Sequence, residues 1–501
     1  MNQYLLGIDI GTSGCKCCLL DFNGNLIGNA AQEYSPLSVK PGWSEQHPED
    51  WYEAVKTVVQ QLQQQTGIDL RQIAAVGAAG QMRGLTFLDK SGKVVRNSIL
   101  WNDLRCEQEV LEATEKAAAL LKRITHNPLN TMCTLPKVLW TMRNEPATWE
   151  HTDKIIFPKD YITYKLTGTI QTDLSDASGS SFYDMRKQMW SDEILEFFAI
   201  SKAKLPEIYP STAIIGKVNS KAAEDIGLKR GIPVIAGGSD ATVELFAIGI
   251  RSAKQCKIRL GTSGALSTVV DNLTNFPEGN YYCWSYTLPN RWMLDLNTRA
   301  CAHATVWLKD VFFKDKSVAT DAYRAIENEA RSIPVGAEGL VFHPYLLGED
   351  APYWNPRLKG SFFGLTISHT RSHFARAILE GTAYALCDAR SIIAEIAQEF
   401  SEYIFVGGGV KNVLWVSIVA DVLGIDGKIS TKADTSLGAA MLAGIGAGVF
   451  AGADDAIAMC SKNDDEQFVK YNPENHQVYS ELFKQYLKMK RVYDQIYELM
   501  R

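Results

Sequence analysis

GIDIGTSGC at residues 7–15 and KIRLGTSGA at residues 257–265 decide how this chain is read. Each is an apolar strand that breaks into Gly-Thr-Ser-Gly and then resumes as apolar residues. The two copies lie 250 positions apart, half of a 501-residue chain. A shared tetrapeptide in a Gly-rich sequence can be coincidence, but the shared strand context and the half-length offset favour a duplication. Two similar domains follow, with a cleft between them and a boundary near residues 245 to 255. No Pro- or Ser-rich linker marks that boundary, so the connection is short and structured.

The surroundings of the first copy alternate between strand and helix signals, which predicts an α/β architecture. Tyr4 to Ile10, Cys15 to Phe22 and Leu26 to Tyr34 read as three successive strands, with Asn23-Gly24-Asn25 as a hairpin turn. Pro48 opens a helix whose apolar stripe is Trp51, Ala54, Val55, Val58, Val59 and Leu62, and Thr66-Gly67 ends it. Ile73 to Ala79 is a short buried strand that delivers Gly80-Gln81-Met82-Arg83-Gly84 at its carboxyl end, the end at which open α/β sheets bind ligands.

Composition removes several function classes. A net charge of −6 gives no bulk field for nucleic acid or an anionic membrane. The amino-terminal stretch has no basic region and carries Asp9 inside its apolar run, which makes it a poor signal peptide. The uncharged run Thr435 to Ala453 is 19 residues long, but 11 of them are Gly or Ala, so it reads as a closely packed interior helix rather than a membrane span. Cys15, Cys17 and Cys18 match CxxC without further cysteines until Cys106, and read as small hydrophobes of a buried strand. The expected compartment is the reducing cytoplasm.

The Gly-Thr-Ser-Gly turns have a chemical use. Glycines let backbone N–H groups approach an anion, and the hydroxyls of Thr12, Ser13, Thr262 and Ser263 add donors. Two such turns facing each other would grip a polyphosphate; either alone could equally be a tight hairpin. Gly407-Gly408-Gly409 is a third cluster, a strand-to-helix turn ahead of a helix starting near Asn412. Asp9 beside a phosphate turn would repel the phosphate unless a cation intervenes, which implies Mg²⁺. Asp240, in Gly237-Gly238-Ser239-Asp240, is either a turn residue or a catalytic carboxylate at the inferred cleft. GxxxxGK[ST], the protein-kinase HRD and DFG set, HExxH and GxSxG are all absent. His369 and His373 read as capping or surface residues.

Together these residues resemble the FGGY carbohydrate kinases of the actin-like, sugar kinase and Hsp70 superfamily. GSFFGL (360–365), a seven-residue gap and HFARAILE (373–380) fit that family's second signature. Its first signature is met by Met132, Thr134, Lys137, Val138 and Trp140, with Thr141 where an apolar residue is usual. The similarity runs from Tyr4 to about Phe450. Within the family, Gly80-Gln81-Met82, ILWND (99–103), SDASG (175–179), LGTSG (260–264), Pro344-Tyr345-Leu346 and Gly348-Glu349 ahead of Pro352 are similar to xylulokinases.

The resemblance implies two ribonuclease H-like domains with an interdomain cleft: residues 1–247 binding sugar and residues 248–501 binding nucleotide. It implies ATP and Mg²⁺ as cofactors, and transfer of a phosphoryl group to a ketopentose, D-xylulose first. Asp240 would be the general base and Asp9 would hold Mg²⁺ through water. Gly11, Thr12, Ser13, Lys16, Gly261 and Thr262 would bind phosphates, and Gly408, Gly409 and Asn412 the nucleoside. Gln81, Met82, Arg83, Trp101, Asn102 and Asp103 would line the sugar site. No nucleic acid or membrane partner is expected, and a homodimer is one option for the assembly.

Two positions depart from the xylulokinase pattern: Arg83 stands where His follows Gln-Met, and Ala241 where Asn follows the catalytic Asp. Both would touch the sugar. The alternative substrate is therefore another ketose, a polyol, a sugar acid or an autoinducer-like molecule, since a family kinase of such an autoinducer also carries Met-Arg here. From another class, an actin- or Hsp70-like ATPase that uses no sugar is the rival reading.

Overall fold

The computed structural model describes residues 3–273, 280–315, 319–394, 400–430, 433–462 and 467–499. It divides into two compact units, one built from Met1–Arg251, Cys283–Met293 and Asp434–Asp464, the other from Ser252–Tyr282, Leu294–Ala433 and Asp465–Arg501.

In the first unit, β1 (Tyr4–Ile10), β2 (Gly14–Asp21) and β3 (Leu26–Glu33) form an antiparallel meander. The turn after β2 passes through Gly24 at φ +84°, a left-handed conformation that costs glycine nothing. Helix α1 (Pro48–Thr66) buries the whole expected stripe from Trp51 to Leu62 over β2 and β3, and ends in a left-handed Gly67. Strand β4 (Ile73–Gly80) then runs parallel to β1, with Asp9 opposite Ala79 and Ile10 opposite Gly80. Helices α2 (Pro158–Thr167) and α3 (Leu174–Gly179) follow. Strands β5 (Ile214–Lys217) and β6 (Pro233–Ile235) complete the order β5-β6-β4-β1-β2-β3, while β7 (Gly238–Ser239) pairs with the end of β4 and opens α4 (Asp240–Ala247).

The second unit repeats that plan. Strands β8 (Gln255–Leu260), β9 (Gly264–Val270), β10 (Trp292–Thr298), β11 (Glu402–Val406), β12 (Gly427–Ile429) and β13 (Gln467–Val469) take the order β10-β9-β8-β11-β12-β13. In both sheets the central strand is antiparallel to its hairpin partner and parallel to the next strand. The following pair is again parallel, and the edge strand antiparallel. Helices α5 (Ala302–Phe312), α6 (Arg371–Ala394) and α7 (Val413–Leu423) belong to this unit.

One element of the second half belongs with the first sheet. Helix α8 (Thr435–Gly446), the Gly/Ala run, lies across β1 and β4. A Cβ on Gly7 would sit 1.9 Å from the Ser436 carbonyl oxygen, and one on Gly77 would sit 2.2 Å from that of Ala439. Helix and sheet backbones therefore touch, and only glycine fits at both strand positions. The compact units are therefore not separated by a single cut in the chain. The first crossing falls between Arg251 and Ser252, but residues 283–293 and 434–464 pack with the first unit. Among the described residues no helix is long and apolar enough to cross a membrane. Cys15, Cys17 and Cys18 are buried free thiols of β2, as their apolar setting predicts.

Candidate functional site

Three chain segments leave the first sheet at the same edge because β1, β4 and β7 are parallel and adjacent: the turn after Ile10, the segment after Gly80, and Asp240 after Ser239. The first turn is closed by a Gly11 N–H to Gly14 carbonyl bond of 2.9 Å. Of its other carbonyls, Ser13 O accepts from Tyr34 N at 3.1 Å, and Gly11 O and Thr12 O are taken by side chains. The Tyr34 hydroxyl donates to Gly11 O at 2.8 Å, Gln46 Nε2 to Thr12 O at 2.7 Å, and Gln81 Nε2 to Gly11 O at 3.3 Å. Thr12 Oγ1 donates to Gln81 Oε1 at 3.1 Å and accepts from Trp101 Nε1 at 2.8 Å. A further donation from Trp51 Nε1 to Gln46 Oε1, 2.9 Å, anchors this cage in the core. Gln81 and Trp101, expected on the sugar, thus also brace the phosphate turn.

Asp9 sits at the base of that turn. It is partly accessible, yet its Oδ1 is buried and meets no hydrogen-bond partner. Its carboxyl is held well above the usual range, first by loss of water and then by the charges of Asp240, Asp434 and Glu244; Lys16, its cross-strand partner, opposes them. Asp434 and Glu244 were missed by the sequence reading. Asp434 caps α8 by accepting from Ser436 N at 2.8 Å, and an Asp ahead of a Gly/Ala helix carries no signal beyond capping. Among the described residues, no three His, Cys, Asp or Glu side chains converge to ligate a metal directly.

Asp240 is the first residue of α4, half-buried, with its own Oδ1 accepting from Ala241 N at 2.8 Å. The two glycines before it are steric necessities. A Cβ on Gly237, at φ +73°, would lie 1.8 Å from Ala78 O, and one on Gly238 2.8 Å from Val243 Cγ2.

The remaining expected sugar residues fall into two groups. Met82 and Arg83 pack over Gly179, whose hypothetical Cβ would meet Met82 Cε at 3.0 Å and Arg83 Cγ at 3.3 Å. Arg83 is buried, adopts φ +65°, and lays its guanidinium 5.3 Å from the centre of the Trp284 ring. Thr134 of the first signature donates to Arg83 O at 3.2 Å, and Lys137 caps the carbonyls of Thr131, Met132 and Cys133. Trp101 and Asn102 are exposed. Asp103 is not: it is fully buried and bound by Arg105 Nε at 2.8 Å, Arg105 Nη2 at 2.7 Å and Ser44 N at 2.6 Å. Its carboxylate is committed to holding the loop, which corrects the expectation that it lines the sugar site.

In the second unit, the carbonyls of the matching turn meet a helix instead of side chains. Ala302 N donates to Gly261 O at 2.8 Å and His303 N to Thr262 O at 3.1 Å. Gly407, at φ +96°, and Gly409 press on Leu260 O, with hypothetical Cβ distances of 2.7 and 2.8 Å, while a Cβ on Gly408 would meet nothing within 4 Å. Gly408 alone presents open backbone. Asn412 caps α7, its oxygen accepting from Trp415 N at 2.9 Å. The second signature is structural: Glu380 Oε1 accepts from Arg376 Nε at 2.7 Å, Tyr479 OH at 2.8 Å and Gly336 N at 2.9 Å. His369 and His373 accept from the backbone N–H of Thr366 and Thr370, the capping role expected of them.

Residues 4–247 match the model of the N-terminal domain of the FGGY family of carbohydrate kinases, and residues 256–447 that of its C-terminal domain. A xylulose kinase of Lactococcus lactis is 34% identical over 96% of this chain and 95% of its own length. Two crystal structures from Lactobacillus acidophilus, a ligand-bound xylulose kinase and a gluconate kinase, each superpose with a TM-score of 0.91 at 27% identity. Both cover 99% of this chain, and it covers 100% and 99% of theirs.

Proposed function

The chain belongs to the FGGY family of carbohydrate kinases, and on that premise we propose that it transfers the γ-phosphoryl group of ATP to a hydroxyl of D-xylulose, giving D-xylulose 5-phosphate and ADP. The observation that carries this reading is the convergence of the Gly11–Gly14 turn, the Gln81-Met82-Arg83 segment and Asp240 at one sheet edge. Phosphoryl transfer asks the protein for alignment and charge neutralisation. Asp240 accepts the proton of the attacking hydroxyl as the bond to phosphorus forms. Gly11, Thr12, Ser13 and Lys16 in the first unit, and Gly261 and Thr262 in the second, hold the phosphates. Gly408, Gly409 and Asn412 form the nucleoside seat, and Met82, Arg83, Trp101 and Asn102 contact the sugar.

Asp9 fits a hydrated Mg²⁺. Its orphaned oxygen lies among acids that disfavour its ionisation, and a cation offsets both. Since no three-residue ligand set surrounds it among the described residues, most ligands would be water and phosphate oxygens, the habit of this ion. Bound there, Mg²⁺ supplies neutralisation of the phosphate charge.

The second reading, a sugar acid in place of D-xylulose, rests on Arg83. Its guanidinium is a permanent cation with a fork of donors suited to a carboxylate. One assay separates these readings: ADP release with Mg²⁺ across D-xylulose, other ketoses, polyols and aldonic acids. Strong stimulation by D-xylulose supports the proposal. Preference for an aldonic acid supports the second reading, and ATP hydrolysis at the same rate with every sugar and with none would replace both by a sugar-independent ATPase.

A further inference from the structure

Beneath Asp240 lies a sealed ionic cluster for which phosphoryl transfer has no direct use. Lys159, at the start of α2, is fully buried, with Nζ 2.5 Å from Asp160 Oδ1, 3.3 Å from Asp173 Oδ1 and 3.6 Å from Asp176 Oδ2. One ammonium faces three carboxyls, all with negligible exposure. Burial pushes the Asp176 carboxyl well above its ordinary range, and Asp160 is raised as well. Such an arrangement stabilises poorly compared with an apolar core of similar volume, so its placement needs another reason.

Its outward bonds supply one. Lys159 Nζ also donates to Ala236 O at 3.0 Å. Asp173 Oδ2 accepts from Ser175 N at 2.7 Å and from Ser175 Oγ at 2.5 Å, and Ser175 Oγ in turn accepts from Ser239 N at 2.8 Å. The cluster therefore grips both ends of Ala236–Ser239, the segment that ends at Asp240. Gly237 and Gly238 between the two grips leave no room for a side chain against Ala78 or Val243.

We propose that Lys159, Asp173 and Ser175 are positioning residues for the general base, fixing the backbone from which Asp240 reaches the sugar hydroxyl. The inference rests on Asp240 being that base. Displacing a base by about 1 Å costs on the order of 10²-fold in rate, whereas the loss of one bridging hydroxyl allows a smaller shift.

The test is a double-mutant cycle on the intact protein, with thermal unfolding as a check on folding. Ser175→Ala is expected to lower kcat about 10-fold while leaving KM for ATP within about twofold. In an Asp240→Asn background the same change should cost nothing further, because its route to the reaction has gone. Asp173→Asn, isosteric and also removed from the reaction, is carried through the same cycle should Ser175→Ala not fold. An equal loss in both backgrounds, or no loss with Asp240 intact, overturns the positioning role. If Asp240→Asn itself keeps wild-type kcat, the general-base reading falls, a result separable from the other two.

Discussion

The two Gly-Thr-Ser-Gly turns share a sequence, a hairpin and a place beside a parallel strand, yet they are braced by different means. The first is held mostly by side chains that reach in from elsewhere, Tyr34, Gln46, Gln81 and Trp101, with one main-chain bond from Tyr34 N to Ser13 O. The second is held by main-chain N–H groups at the start of α5. Their flanks diverge too, Asp9 in the first matching Arg259 in the second, whose Nε lies 3.0 Å from where a Cβ of Gly261 would be. A duplicated turn keeps its backbone and changes its surroundings. An acid beside one copy suits a cation, and a base beside the other suits phosphate directly.

The largest expected effect tests what has been added to the first copy. Asp240→Asn should lower kcat by about 10²–10⁴ with folding and ATP binding nearly intact, as loss of a general base does. Steady-state kinetics beside nucleotide titration would show it, and wild-type kcat would reduce Asp240 to a turn residue.

Next comes the sugar segment that follows β4. Arg83→His with Ala241→Asn should raise kcat/KM for D-xylulose relative to other substrates by about 10-fold, the worth of one recovered hydrogen bond. A wild type that already prefers D-xylulose, with a double variant no better, removes Arg83 as a determinant.

The turns themselves can be set against each other. A Cβ on Gly14 would meet the Gln32 carbonyl at 2.7 Å, whereas one on Gly264 would meet Thr298 Oγ1 at 2.6 Å. Backbone cannot yield as a side chain can. Gly14→Ala should therefore destabilise by about 1–3 kcal/mol and Gly264→Ala by less, as read by denaturant unfolding. The reverse order would mean that the second turn is the more rigid of the two.

The smallest effect concerns Asp9. A carboxyl whose folded value is raised makes the folded state bind protons more tightly, so its contribution to stability declines as pH rises from the unfolded value of about 3.9 toward the raised one. Without Mg²⁺, Asp9→Asn should match the wild type in Tm near pH 4 and exceed it at neutral pH by on the order of 2 °C, while losing activity. Equal Tm at both pH values would show that Asp9 ionises at no cost.

Much of this comparison was legible in the sequence because it depends on periodicity and on glycine. The strand alternation of residues 4–34, the α1 stripe and the echo at residues 257–265 are local patterns, and each has its element in the fold. Asp9, in a strand that breaks at Gly11, and Asp240, just after Gly237-Gly238-Ser239, could be singled out by their place at a strand end near glycine. What stayed hidden depends on partners distant in sequence. Asp103 looks like a ligand contact until Arg105 and Ser44 are seen to saturate it. Nothing in PKDYITYKLT (158–167) marks Lys159 for burial, and only the tertiary structure brings it to Ala236. Residues 283–293 and α8 carry no mark that assigns them to the first unit.

The seat of α8 on β1 has a consequence during synthesis. Gly7 leaves the ribosome well ahead of the backbone it was left bare to receive, at Ser436, which lies 429 residues further along the chain (436 − 7). Until then the first sheet has an open apolar face over β1 and β4, and no amount of waiting can close it. Contacts of such long sequence separation are slow to form and leave intermediates prone to aggregation. A nascent chain halted after residue 251 should accordingly need a chaperone to stay in solution, although it already carries every residue assigned here to the sugar and to proton transfer.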